Sequence, residues 1–99
     1  MSRRFILSPD AQRDYEEIWD YIAADSVLAA DNVVDTFTEK FALIATQSDI
    51  GKSHPELGEG LRAFRASRYM IFYRKIEDGI EVVRVIHGAR DIPSLFNPL

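Results

Sequence analysis

The chemistry-bearing side chains of this sequence crowd most densely in the stretch Val85-Ile86-His87-Gly88-Ala89-Arg90-Asp91. An imidazole titrates near neutrality, a guanidinium holds phosphate or carboxylate in a fork of donors, and a carboxylate can orient either. Such a trio could move protons or grip an anion. A nuclease would also want a base and an acid facing each other across a cleft, which this spacing does not supply. On residue types alone, a clasp in which Asp91 pairs with Arg90 beside a half-buried His87 outweighs a catalytic centre.

Other clusters are weaker. Arg62, Arg65, Arg68 and Arg74 interleave with Tyr69, Phe72 and Tyr73, a pattern that suits a nucleic-acid surface, yet the chain carries a net charge of −4. A general nucleic-acid binder is basic, so sequence-specific nucleic-acid binding by this chain alone is not expected. His54, with Glu56 and Glu59 nearby, lacks the spacing of a metal site. With no cysteine, no phosphate-cradling glycine loop and no serine nucleophile motif, no metal, cofactor or catalytic residue is expected.

Ninety-nine residues suit one domain over 1–99 with a single small core. A composition of 46% hydrophobic and 28% charged residues argues for a folded chain. No apolar run approaches the ~20 residues that span a bilayer, and Asp10 comes too early for a signal peptide, so a cytoplasmic location without membrane contact is expected. Charge is divided unevenly. Residues 1–50 hold four basic residues against ten acidic ones, and residues 51–99 hold eight against six. Such a split suggests two faces with different partners.

Several elements must position the His-Arg-Asp stretch. Arg4-Phe5-Ile6-Leu7 reads as a first strand, stopped by Ser8-Pro9-Asp10, where Ser8 caps a helix and Pro9 fits its first turn. Ala11, Tyr15, Ile18, Trp19, Ile22 and Ala23 then form one stripe of a helix over about 9–24. Asp25-Ser26 caps a second helix whose seam is Val27, Ala30, Val34, Phe37, Phe41 and Ile44. So short a connection makes the two an antiparallel hairpin. Lys52 to Gly60 reads as a loop, with strands at Leu61–Ala66, Tyr69–Lys75 and Ile80–His87 and a turn at Ile76-Glu77-Asp78-Gly79. The order β-α-α-β-β-β predicts a two-layer α+β domain, the helical hairpin packed on a mostly antiparallel sheet.

The two sheet faces depend on register. Tyr69, Ile71 and Tyr73 share one face; Met70, Phe72 and Arg74 share the other. A glycine bulge at the turn places Arg84 with the second set and keeps its guanidinium out of the core. That face then reads Met70, Phe72, Arg74, Val82, Arg84 and Ile86, an apolar patch to be covered by the tail residues Ile92, Leu95 and Phe96 or by a partner.

These residues together resemble the ParE toxins of the RelE/ParE toxin–antitoxin superfamily. The resemblance rests on Leu7-Ser8-Pro9-Asp10-Ala11 leading to Ile18-Trp19-Asp20-Tyr21-Ile22, on Gly60-Leu61-Arg62, on Tyr69 to Arg74, and above all on Val85 to Asp91. It implies the two-layer fold with the first strand beside the last. It also implies a plasmid-stabilising toxin that poisons DNA gyrase by binding and is neutralised by a ParD-like antitoxin. The alternative is the RelE branch, which cleaves messenger RNA on the ribosome. Arg90 matches that branch's basic residue after the last strand, but Met70 stands where it carries an arginine, and Phe96 where it tends to have Tyr or His; a phenylalanine cannot transfer a proton. Arg62, Arg74, Arg84, His87, Arg90 and Asp91 are therefore candidate target contacts. Tyr15, Trp19, Phe72 and Ile86 are candidate antitoxin contacts, through a helix laid in a groove and an extended segment on the sheet.

Overall fold

The computed structural model describes residues 3–90 and 92–96, apart from the side chain of Ser94. Strand β1 (Arg4–Leu7) leads into α1 (Pro9–Ala23) and α2 (Val27–Thr46). There follow β2 (Lys52–Ser53), β3 (Arg62–Ala66), β4 (Tyr69–Ile76), β5 (Gly79–His87) and a short α3 (Ile92–Phe96). The sheet order is β1-β5-β4-β3-β2. Only β1 runs parallel to its neighbour, pairing Leu7 with Val82; the other pairs are antiparallel. The α+β fold expected from the periodicities is the observed one, with β2 and α3 added.

Local signals explain the helices. Ser8 Oγ accepts from the Ala11 amide at 3.0 Å, and Ser26 Oγ accepts from the Ala29 amide at 3.1 Å, each satisfying a donor the first turn would leave unpaired. The α2 seam buries Ala30, Val34, Phe37, Phe41 and Ile44 against Ile71, Tyr73, Val82 and Val85 of the sheet. Val27, assigned to that seam, is instead 55% exposed in the first turn of α2. Phe37 is the hub, with its ring centroid 5.2 Å from Tyr69 and 6.4 Å from Phe41. Each such ring, fully buried, contributes roughly 1.5–3 kcal/mol.

The bulge lies elsewhere than expected. Ile76 pairs with Gly79, so Glu77-Asp78 forms a strict two-residue turn; the register slips between Phe72 and Tyr73, leaving Val83 unpaired. Val82 therefore belongs to the helix-covered core, not to the opposite face. Arg84 does pair with Phe72, as a parity shift requires. At the turn the backbone of β1 comes so close that a Cβ on Gly79 would sit 1.7 Å from the Arg4 carbonyl oxygen. Only glycine fits there.

The opposite face carries Leu61, Ala63, Phe72 and Ile86, all buried, beneath Leu57 of the loop and Ile92, Leu95 and Phe96 of α3. The tail is the cover, with the Phe96 ring 4.7 Å from Phe72. Pro93 does not break this helix because it lies in the first turn, where no amide donor is needed.

Candidate functional site

One cleft of about 860 Å³ opens between the C-terminal half of α1, the β3–β4 turn and the exit of β5. Its geometry begins at Ser8. The Ser8 amide donates to the Val82 carbonyl at 2.9 Å and its hydroxyl to the Val83 carbonyl at 2.8 Å, anchoring α1 where β1 stops. From Val83 onward β5 has no neighbouring strand on that side among the described residues, and Asp14 takes over. Its carboxylate accepts from Arg84 Nε at 2.7 Å, Arg84 Nη2 at 2.9 Å and the Val85 amide at 2.9 Å. A helix side chain thus substitutes for a strand at an open edge. The hydrogen bond to Asp14 raises the Arg84 pKa, against the opposing effect of burial.

The other wall is the two-residue turn Ser67-Arg68. Ser67 has φ +58°, a left-handed conformation that a residue with a Cβ seldom adopts. The turn is held by the Gly88 amide donating to the Arg68 carbonyl at 2.8 Å and by Arg65 Nε donating to the Ser67 carbonyl at 3.1 Å. His87 stands edge-on to Tyr69 at 5.3 Å, and its Nδ1 accepts from the Ala89 amide at 3.1 Å, which places the imidazole proton on Nε2. Burial raises the Tyr69 pKa, with Tyr21 adding to the shift and Arg68 opposing it. Ile18, Ile22 and Val33 supply apolar lining, Glu17 lies on the helical wall, and Arg68 and Arg90 lie on the strand wall.

Of the candidate target contacts, only His87 and Arg90 line this cleft directly. Arg84 is tied beneath it to Asp14. Arg62 donates to the carbonyls of Gly51 at 3.0 Å and Asp49 at 3.1 Å, and Arg74 to that of Glu59 at 3.0 Å. Each of these three guanidiniums thus donates to a carbonyl or carboxylate of this chain. Asp91 lies outside the described residues.

Among the candidate antitoxin contacts, Tyr15 packs toward Phe37 with centroids 6.5 Å apart, and the Trp19 indole donates to Asp31 at 2.9 Å. Phe72 and Ile86 are only 2% and 1% exposed; both belong to the cluster that α3 packs against, and Ile86 also lines the cleft. The residues overlooked are Asp14, Glu17 and Tyr21. For Asp14 a signal existed, since positions 11, 14 and 18 share one helical face and put a carboxylate on the buried stripe.

A second, smaller cavity of about 370 Å³ lies at the edge of α3 among His54, Leu57, Met70, Phe72, Ile92 and Pro93. At its rim His54 Nδ1 and Glu56 are 2.9 Å apart, and that hydrogen bond lowers the Glu56 pKa. Phe96 and Met70 make this region apolar; the His54–Glu56 pair is its polar feature. Among the described residues no three His, Cys, Asp or Glu stand together as metal ligands, and no helix is long and apolar enough to cross a membrane.

Residues 5–92 match the family model described as ParE toxin of type II toxin-antitoxin system, parDE. The chain belongs to the ParE toxin family. Toxin ParE1 of Mycobacterium tuberculosis, in strains CDC 1551 / Oshkosh and ATCC 25618 / H37Rv, is 35% identical over 94 residues, covering 93% of this chain and 96% of the relative. A solved structure, Chromosomal ParDE TA system from P. aeruginosa, superposes with a TM-score of 0.70 at 19% identity, covering 88% of this chain and 95% of its own. That likeness concerns the fold. The ParE toxin family membership makes this chain the toxin component of a type II toxin–antitoxin system.

Proposed function

We propose that this ParE-family toxin acts on DNA gyrase by binding, without catalysing a reaction, and that a ParD-like antitoxin holds it inactive. The observation that carries the non-catalytic half is the sheet face under α3. At the positions where the RelE branch carries an arginine and a proton-transferring residue, this chain has Met70 and Phe96, both in the apolar cluster around Phe72. Neither can exchange a proton. Within the cleft, Asp14 is engaged by three donors and His87 Nδ1 by a backbone amide. Both groups are thereby occupied by donors of this chain.

The antitoxin segment lies in the cleft beneath α1. Ile18, Ile22 and Val33 offer it an apolar strip, with His87 and Arg90 along the opposite wall, a geometry suited to an amphipathic segment that orders as it binds. The test is a supercoiling and DNA-cleavage assay with purified toxin and gyrase. Inhibition with trapped cleaved DNA is expected, relieved by antitoxin; no effect at any excess of toxin sinks the reading. Translation-coupled cleavage of messenger RNA, lost in His87→Ala and Arg90→Ala, would establish the ribonuclease alternative instead.

A further inference from the structure

The tip of the helical hairpin is unlike the rest of the surface. Tyr21 in the last turn of α1 and Val27 and Leu28 in the first turn of α2 are 82%, 55% and 72% exposed. Only Ala24, Asp25 and Ser26 separate the two helices, so these three large side chains share one end of the hairpin. That end is rigid. The Asp25 and Ser26 amides both donate to the Ile22 carbonyl at 3.0 Å, and Ser26 caps α2. Residues 14–39 contain eight acidic residues and no lysine or arginine. Glu17, Asp20, Asp25 and Asp31, all exposed, stand within two turns of the tip.

Exposed apolar side chains ringed by a single sign of charge mark a docking surface for a partner of opposite charge. A segment that orders on binding needs a groove to bury itself; Tyr21 also borders the cleft, whereas Val27 and Leu28 lie outside it. A protruding, preformed tip fits a hollow on a folded partner. A protein that handles DNA must present lysines and arginines to the phosphate backbone, and such surfaces complement this one. We propose that the hairpin tip, with Tyr21, Val27 and Leu28 at its centre, is the face that docks on a basic, DNA-handling surface of the target. This rests on the gyrase reading above and names the side of the toxin and the chemistry of the target that meet. The toxin's attraction to that surface is electrostatic and weakens as salt rises.

The experiment compares wild type, Val27→Ser/Leu28→Ser, Asp20→Lys and Glu77→Lys in the gyrase supercoiling assay at low and moderate salt. Glu77, exposed at the β4–β5 turn, changes net charge as much as Asp20 but far from the tip in sequence and fold. The tip variants are expected to need about tenfold more protein for half-inhibition, and Glu77→Lys no more than wild type. Thermal melts establish that each variant is folded, with Tyr21→Gln replacing any that is not. Equal inhibition by tip variants and wild type overturns the assignment alone. So does an equal loss in Glu77→Lys, which would reduce the effect to net charge. Tip variants that lose antitoxin binding but still inhibit gyrase would assign the tip to the antitoxin. Failure of wild type to inhibit gyrase defeats the function reading and this one with it.

Discussion

The two faces of the sheet are sealed by different means. On one, α1 and α2 lay 15 and 20 residues across Ile71, Tyr73, Val82 and Val85, and are tied down by Ser8 and Asp14. On the other, Phe72 and Ile86 lie beneath a loop and a five-residue helix. Among the described residues that helix makes no backbone hydrogen bond to the sheet. Both faces are dry, but the α3 half of the second cover is not fastened to the sheet in this way. Low exposure therefore does not measure how firmly a surface is closed, because local opening depends on what must be broken to lift the cover.

The largest expected effect is on the fastened face. Phe41→Ala should lower unfolding free energy by about 3–5 kcal/mol in urea denaturation, since its ring is 1% exposed among side chains that cannot collapse into the gap. Asp14→Ala comes next, at about 2–3 kcal/mol, because it strands the Arg84 guanidinium and the Val85 amide together. Faster hydrogen exchange at the Val85 amide would identify the cause. Phe96→Ala should cost less than about 1.5 kcal/mol globally yet clearly increase binding of a hydrophobic dye, because only the cover is loosened. A global loss as large as that of Phe41→Ala would show the two faces to be equally fastened.

The smallest effect concerns acid. Glu56 has its pKa lowered by the hydrogen bond to His54, so its contribution is complete above its ordinary value of 4.5 and is lost as pH falls through that value toward the lowered one. Dye binding should therefore rise on the tail-covered face before the helices melt. In His54→Ala that bond is absent at every pH, so the acid-dependent rise should shrink.

Much of this was legible in the sequence. Both helices and their serine caps follow from spacing, as does the pairing of the three long antiparallel strands. Lys52-Ser53 shows no alternation of apolar residues, so β2 could not be read; it exists because Arg62 and Ala63 offer it an edge. The bulge left a trace in the adjacent apolar pair Val82-Val83, but a glycine in the turn was the stronger lure. The arginines show the limit most clearly. A guanidinium's charge is visible in a sequence, whereas its acceptor is not. Arg62, Arg74 and Arg84 find theirs 11, 15 and 70 residues away. Asp14 was hidden for the same reason, its partners lying at the far end of the chain.

The parallel pairing of β1 with β5 has a consequence in time. Arg4 to Leu7 have Gly79 to Val82 as their strand partners, and Asp14 is satisfied by Arg84 and Val85. Residues made first must wait for residues made some seventy positions later, and closing so long a loop is slow compared with forming the helical hairpin. As the chain emerges during synthesis, the hairpin can assemble while its sheet is still missing. The nascent toxin then has a ready helical half and no completed core, and it becomes a finished protein only when β5 slides between the first strand and β4.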